Sequence, residues 1–129
     1  MSDMISLTVP YARDYQGVVR LVLAGVGARS GLSVEALEDV ELALDALFAD
    51  AGYAAGDRVT LEVEVDEREL AIAIGPFDRS HLEAGLADAS EGAIGLARLL
   101  GATTSAYDLE GRDGGVWVRM RKGAAGAGA

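Results

Sequence analysis

The sequence predicts a single α+β domain, a two-layer sandwich in which helices cover one face of a mostly antiparallel sheet. Three observations predict it. Apolar residues recur at three- and four-residue spacing in two segments before residue 52, which is the period of amphipathic helices. After Arg58 the period changes to two, as in strands with one solvated face. The strand patterns then come in adjacent pairs separated by turn residues, which indicates antiparallel hairpins.

The first half of the chain predicts one strand and two helices. Ser6 to Pro10 is the strand, and a helix follows from about Ala12 to Arg29. Gly31 closes that helix, and Ser33 is a suitable N-cap for a second helix that runs to about Ala51 and stops at Gly52. The predicted apolar faces are Tyr15, Val18, Val19, Val22 and Val26 in the first helix, and Leu37, Val40, Leu44, Leu47, Phe48 and Ala51 in the second.

The second half predicts two hairpins around a short helix. Val59, Leu61, Val63 and Val65 form the buried face of one strand, and a turn over 66–69 leads to its partner, with Leu70, Ile72 and Ile74, ended by Gly75-Pro76. Residues 76–92 are a long loop with a short helix near 80–87, and a helix from about 92 to 100 stops at Gly101. The last hairpin pairs 104–109 with 116–121 around a turn at 110–115.

Composition narrows the function classes. The chain has 129 residues, no Cys, one His and a net charge of −10, so disulfides, thiolate zinc sites and multi-His metal sites are excluded. The negative charge argues against nucleic-acid binding, because affinity for phosphate backbones depends on Lys and Arg. No membrane span or signal peptide is predicted, which favours a cytoplasmic protein. We expect one domain over 1–122 and a disordered Gly/Ala tail over 123–129.

Four local matches resemble the GHKL (histidine kinase-like) ATPase superfamily, and within it the small anti-sigma-factor serine/threonine kinases of bacteria. They are the opening strand at 7–10, the helix segment 40–46, the helix start at 92–100 and the closing strand at 114–122. Together they span nearly the whole chain. The resemblance implies a Bergerat-type fold with a nucleotide between the helices and the sheet, and it implies ATP and Mg²⁺ as cofactors of an active member.

The resemblance also shows where this chain departs from an active kinase. The family's second helix carries a Glu and, four residues later, an Asn that holds magnesium, and these places fall on Asp45 and Ala49. Asp45 could act as a base, but alanine offers no oxygen to Mg²⁺. The Asp that reads adenine in the family's Asp-x-Gly-x-Gly box is Ala73 or Ile74 here, although Gly75 remains and Asp78 follows.

The two remaining boxes are also altered. In the phosphate-binding Gly-x-Gly-Leu box, Ala93 replaces the first glycine, while Gly92 precedes it and Gly95 and Leu96 are kept. The final Gly-Thr pair near adenine is Gly115-Val116. The resemblance therefore implies a degenerate nucleotide pocket formed by Gly75, Asp78, Gly92, Gly95, Leu96 and Gly115, with chemistry lost at Ala49, Ala73, Ala93 and Val116. No bound cofactor or metal is expected.

Three functions follow as alternatives. The first is a pseudokinase that regulates by binding a sigma factor, an anti-anti-sigma domain or a second copy of itself, with the acidic second helix and the following hairpin as the docking surface. The second is an active ATP-dependent serine/threonine kinase with Asp45 as base. The third is a binding protein for an apolar ligand in the vacated pocket, under a lid formed by 77–91.

Four further features have a structural and a functional interpretation. Glu38, Glu41 and Asp45 form a solvated acidic flank or a metal-binding patch, with the first favoured. His81 is expected to be an exposed loop residue rather than a base. Trp117, opposite Val116 and Val118 on the last strand, either anchors an interface or is covered by arginine side chains. Gly17, Gly25 and Gly27 are expected to reflect composition rather than close helix packing.

Overall fold

A computed structural model describes residues 3–65, 69–88, 95–112 and 114–123. Five strands form one antiparallel sheet: β1 (Asp3–Pro10), β2 (Arg58–Val65), β3 (Glu69–Phe77), β4 (Ala106–Arg112) and β5 (Gly115–Gly123), in the order β1-β2-β3-β5-β4. The helices are α1 (Gln16–Ser30), α2 (Val34–Phe48), α3 (Arg79–Ala87) and α4 (Leu96–Thr103). The predicted α+β class with an antiparallel sheet is confirmed.

The core lies between the helices and one face of the sheet. Alternate residues of β2 and β3 are buried there, which confirms the period-two prediction. The helices contribute the buried side chains of Val19, Leu23 and Val26 from α1, and of Val40, Leu44, Leu47 and Phe48 from α2. The opposite sheet face carries no helix in the described part of the chain and is built from polar, charged and small side chains.

The junction between α1 and α2 follows the local sequence signals. Gly31 has φ of +77°, the left-handed conformation that favours glycine, and it ends α1. Ser33 then caps α2, since its hydroxyl oxygen accepts a hydrogen bond of 3.1 Å from the backbone N–H of Ala36. Glu35 lies in the first turn, as predicted.

The first helix has a different buried face from the predicted one. A 3₁₀ turn at Arg13–Tyr15 precedes α1, so the helix begins at Gln16. Tyr15 and Val18 are exposed, and Leu23 is buried in their place. The 3₁₀ turn takes Tyr15 out of the helix. The buried face of α1 runs through Val19, Leu23 and Val26, so the predicted burial of Val18 was also wrong.

Several other boundaries differ from the predictions. Helix α2 ends at Phe48, and the exposed Ala51 begins a 3₁₀ turn at Ala51–Tyr53. Strand β3 continues through a cis Gly75-Pro76 bond to Phe77, so its predicted end at Gly75-Pro76 is wrong. Helix α3 follows at once and confirms the short helix predicted near 80–87. Helix α4 passes through Gly101 to Thr103 because burial of Leu100 and Thr103 outweighs the helix propensity lost at one glycine, about 1 kcal/mol.

The last hairpin is longer and its turn shorter than expected. The two strands extend to Arg112 and from Gly115, and Gly114 between them has φ of +78°. Gly123 belongs to β5, where its N–H donates to the Ser105 hydroxyl, so the predicted tail does not include it. The rest of the tail, 124–129, the turn at 66–68 and the segment 89–94 lie outside the described residues.

Candidate functional site

Asp45 faces the neighbouring helix α1. Its carboxylate accepts a hydrogen bond of 3.1 Å from Arg20 Nε, a second from Arg20 Nη2, and one from the Gln16 side-chain amide. This contact raises the pKa of Arg20, chiefly through the hydrogen bond to Asp45. Ala49 is exposed at the end of α2. The carboxylate proposed as a base is therefore held by two side chains of α1, on the α1 side of the helix.

The 3₁₀ turn that follows α2 packs against α3. Asp50, directly after the helix, lines a surface groove of about 420 Å³ together with residues of α3 and of the 3₁₀ turn. Ala46 lies four residues earlier and is packed against the core. The four-residue spacing that the family requires is thus also met one position later in the chain, by Ala46 and Asp50, the second of which lies beside α3.

Sequence reasoning missed Asp50. The signal was present, since positions 46 and 50 have the same four-residue spacing as positions 45 and 49, one residue later. Glu41 and Asp45 share the same four-residue spacing, but Asp45 is turned toward α1. The pair Ala46 and Asp50, whose second residue lies beside α3, thus has an alanine at the first position and a carboxylate at the second.

Asp50 and His81 connect the end of α2 to α3. Asp50 Oδ1 accepts a hydrogen bond of 2.8 Å from the Gly52 N–H, and Oδ2 lies 3.2 Å from His81 Nε2. The His81 ring meets Tyr53 edge to face, with centroids 5.4 Å apart. His81 is therefore a half-exposed residue of a helix rather than of a loop, and α3 is held against the 3₁₀ turn.

The contacts of Asp50 predict how the stability of the protein changes with pH. The Gly52 N–H first, and His81 second, lower the pKa of the Asp50 carboxyl below its usual value. Stability from this carboxylate is therefore present at neutral pH and is lost as pH falls through the lowered pKa, below about pH 4. We expect Asp50→Asn to destabilise the protein at pH 7 and to flatten the loss of stability below about pH 4, measured by urea unfolding across pH. If the variant loses stability below about pH 4 as steeply as the wild type, the result would contradict the Asp50 contacts.

The positions of the adenine-reading residue carry apolar side chains in two different places. Ile74 is fully buried in the core between sheet and helices. Ala73 lies on the opposite, helix-free face, where it pairs across the sheet with Glu62 and Arg119. Asp78 is the N-cap of α3, because its carboxylate accepts a hydrogen bond of 2.9 Å from the His81 N–H. A helix cap explains Asp78 without a ligand.

The phosphate-box residues lie at the start of α4. Gly95 is the N-cap residue, and its carbonyl accepts the Leu99 N–H at 3.0 Å. Leu96 is buried in the core. Gly92 and Ala93 lie outside the described residues. Gly115 approaches β3 closely, since a Cβ there would lie 2.9 Å from the Phe77 carbonyl oxygen, and Val116 is fully buried.

Trp117 is covered by an arginine, as in the second of the two predicted interpretations. It is only 5% exposed, and the Arg112 guanidinium carbon lies 3.7 Å from the ring centroid. Arg112 also pairs with Glu62 at 2.8 Å. Gly75 also lies against the ring, where a Cβ would be 2.7 Å from Trp117 Cγ. Trp117 is thus part of the sheet surface and not an exposed anchor.

The acidic residues and the glycines were expected to have structural roles or none, and the expectation for the glycines is wrong at Gly27. Glu38 is exposed and Glu41 half-buried, and the described ranges contain no group of three His, Asp or Glu residues that could hold a metal ion. A Cβ at Gly17 or Gly25 would meet nothing within 4 Å, whereas one at Gly27 would lie 3.0 Å from Leu37 Cδ1. Only Gly27 therefore serves close helix packing. Among the described helices, none is long and apolar enough to cross a membrane.

Known proteins with similar sequences are named as one kind of enzyme. Serine-protein kinase RsbW of Bacillus velezensis is 30% identical over 115 residues, which cover 73% of this chain and 70% of the relative. The protein of that name from Oceanobacillus iheyensis is 33% identical over 90 residues, 69% of this chain. This match spans 52% of the Oceanobacillus protein, so the chain covers about half the length of that relative. No family model matches the chain.

A solved structure shows the same fold. The crystal structure of the RsbU and RsbW domains of a Mycobacterium tuberculosis protein superposes with a TM-score of 0.65 at 17% identity, over 93% of this chain and 31% of that one. The five-stranded antiparallel sheet with helices on one face is therefore the fold of the RsbW domain. With the sequence identity to the Bacillus protein over most of both chains, this places the chain in the RsbW family of anti-sigma-factor serine kinases, within the GHKL superfamily.

Proposed function

We propose that this chain is a regulatory protein of the anti-sigma type that acts by binding a protein partner and does not transfer phosphate. The observation that carries the proposal is the burial of Ile74 and Val116. Both side chains are fully buried in the continuous core, at two places where the family contacts adenine. A polar base edge there would lose its hydrogen bonds without replacement, which costs about 1–3 kcal/mol for each unsatisfied group.

The pair that would hold magnesium and activate a hydroxyl group is incomplete in either alignment. With Asp45 as base, the magnesium position is Ala49, and Asp45 is bound by Arg20 of α1. With Asp50 as the magnesium ligand, the base position is Ala46. Phosphoryl transfer relies on positioning and on neutralisation of charge by metal ions, so the loss of either member removes a required part.

Magnesium-nucleotide binding without transfer is a second candidate, and Asp50 favours it. Its carboxylate lies beside the groove against α3 and offers the hard oxygen that Mg²⁺ prefers. In the structure this carboxylate is bound to Gly52 and His81, so a metal would have to replace the His81 contact. The apolar-ligand alternative has no such support, since Ile74 and Val116 fill the space that it requires.

The outer surface of α1 and α2 is the docking surface that we favour for a protein partner. Leu21 on α1 is 75% exposed and Leu42 on α2 is 51% exposed, although both are large apolar side chains. Acidic residues of α2 flank them, including the exposed Glu35 and Glu38. A partner with apolar residues bordered by basic ones fits this surface, and the family resemblance implies a sigma factor or an anti-anti-sigma domain.

Capture of purified sigma factors and anti-anti-sigma domains tests the proposal. We expect binding of one partner with the same affinity in the presence and absence of Mg-ATP. Leu21→Ser and Leu42→Ser should each weaken binding about tenfold, which is the effect of losing roughly 1.4 kcal/mol at an interface. Gly101→Ser on the exposed part of α4 is the matched control and should bind as wild type. Phosphorylation of a captured partner by the purified chain would contradict the proposal.

A further inference from the structure

The two edges of the sheet differ in their side chains. Strand β4 forms one edge and carries Asp108, Glu110 and Arg112, and charges of this kind hinder an edge strand from pairing with another chain. Strand β1 forms the other edge, and its residues 4–9 include no charged side chain. They read Met-Ile-Ser-Leu-Thr-Val, which is a sequence that favours strands. Of the two edges, β1 is therefore the one without protective charges.

The register shows which main-chain groups of β1 point away from the sheet. Among the described residues, β1 pairs with β2 alone. The N–H of Tyr11 donates to the carbonyl of Asp57 at 2.8 Å, just beyond the last pair of this ladder. Hydrogen-bonded positions alternate along an antiparallel pair, so the main-chain groups that point outward belong to Met4, Ser6 and Thr8. This outward row of N–H and C=O groups can pair with one more strand.

On the helix side, apolar side chains lie along this edge. Ile5 is on the helix-covered face, opposite the fully buried Val63, yet it is 39% exposed. Val18 of α1 is 40% exposed, and it lies about 160° around the helix from Arg20, whose side chain contacts α2. Because α1 packs on β2 and α2 packs on β5, the flank of α1 that carries Val18 faces the β1 side of the sheet. Apolar side chains of an added strand would therefore cover both Ile5 and Val18.

On the helix-free side, the neighbouring strand supplies acidic side chains. Glu64 and Glu62 of β2 lie directly beside Met4 and Ser6. A residue of an added strand opposite Met4 or Ser6 continues the same cross-strand row, two strand spacings or roughly 9.6 Å from the glutamate. A Lys or Arg side chain can extend over that distance toward the carboxylate, and opposite charges in one row attract. Arg112 binds Oε1 of Glu62, which leaves Oε2 for a second cation.

We propose that the β1 edge is a docking site for an extended segment of a partner protein, which adds a strand antiparallel to β1. The segment alternates apolar residues, which lie beside Ile5 and Val18, with residues on the helix-free side. Those opposite Ser6 and Met4 are Lys or Arg. Main-chain hydrogen bonds to β1 supply the affinity, and the alternation supplies the specificity. This docking site goes beyond the proposed function and does not depend on it.

Amide hydrogen exchange of the full chain, followed by NMR, tests the docking site. The probe is the blocked peptide Val-Thr-Val-Lys-Val-Lys-Val, whose lysines fall opposite Ser6 and Met4 when its first valine pairs with Val9. In the free chain we expect fast exchange at the outward amides of Met4, Ser6 and Thr8. Millimolar peptide should slow exchange at these amides at least about tenfold, because they then donate to the added strand.

Two variants and a control peptide separate the contributions. Ser6→Pro removes an outward donor and no hydrogen bond to β2, and edge strands tolerate proline at such a position. We expect it to stay folded and to bind the peptide at least about tenfold more weakly than wild type. Ile5→Ser keeps every main-chain group and should weaken binding through the apolar contacts alone. The control peptide Lys-Lys-Thr-Val-Val-Val-Val has the same composition without the alternation and should not slow exchange.

Several results would overturn the proposal. One is unchanged exchange at Met4, Ser6 and Thr8 of the folded wild type in millimolar peptide. Another is a Ser6→Pro variant, shown to be folded by circular dichroism, that binds the peptide as tightly as wild type. Equal protection by the control peptide would exclude recognition of the alternating pattern. Outward amides that become protected without peptide as the chain concentration rises would show that a second copy occupies the edge instead.

Discussion

We expect Ile74→Asp to lose at least about 4 kcal/mol of unfolding free energy, a large part of the total for a domain of this size. The substitution places in this chain the carboxylate that the family uses to read adenine. Because Ile74 is fully buried among apolar side chains, the carboxyl group would be desolvated without a partner, and it would have to protonate or unfold the site. Urea unfolding at pH 7 measures the loss, and Mg-ATP should not reverse it.

Ala73→Asp is the matched control for that experiment. It introduces the same side chain one residue earlier, on the helix-free face, where Glu62 and Arg119 are its cross-strand neighbours. One neighbour repels the carboxylate and the other attracts it, so the net change should stay within about 1 kcal/mol. An Ile74→Asp variant as stable as the Ala73→Asp variant would show that the side chain at position 74 is not buried in the core.

The second large effect is expected at Gly75, beneath the tryptophan. A Cβ at this position would lie 2.7 Å from Trp117 Cγ and 2.8 Å from Cδ2, with the Trp117 backbone Cα at 3.1 Å. The Arg112 guanidinium also packs on the ring, so a displaced ring would disturb that contact. We expect Gly75→Ala to cost about 1–3 kcal/mol, the range for overpacking a well-filled site.

Gly25→Ala makes the same chemical change but is expected to raise the free energy of unfolding. No atom lies within 4 Å of a Cβ at Gly25 inside α1, so the variant should gain about 0.5–1 kcal/mol from helix propensity. Fluorescence of the chain's one tryptophan, Trp117, reports the Gly75 site directly. A Gly75→Ala variant with wild-type stability and an unchanged emission maximum would contradict the close approach of β3 to the ring.

Local signals in the sequence predicted much of the fold. The period-two pattern of β2 and β3, the Ser33 cap and the Gly31 end of α1 each depend on residues within one element, and each is confirmed. The errors arose where tertiary packing decides. Helix α4 continues through Gly101 because Leu100 before that glycine and Thr103 after it are both buried, which its sequence alone does not reveal.

The site was harder to predict, because the family motif fits more than one register on α2. The spacing alone admits Asp45 with Ala49, and also Ala46 with Asp50. The contacts of Asp45 with Arg20 of α1, and of Asp50 with His81 of α3, separate the two registers. These contacts join residues 25 and 31 positions apart, so a reading of α2 by itself could not supply them.

Thermal unfolding with and without nucleotide tests most directly whether the family's nucleotide site has been lost. The chain is melted alone, with millimolar Mg-ATP, with Mg-ADP and with ATP plus a chelator, beside the Bacillus velezensis relative as positive control. A ligand at about a hundred times its Kd stabilises by about 2.7 kcal/mol, a Tm increase of several degrees. We predict no increase for this chain under any of these conditions. An increase of several degrees that requires magnesium would contradict the loss of the site and would favour Mg-nucleotide binding at Asp50.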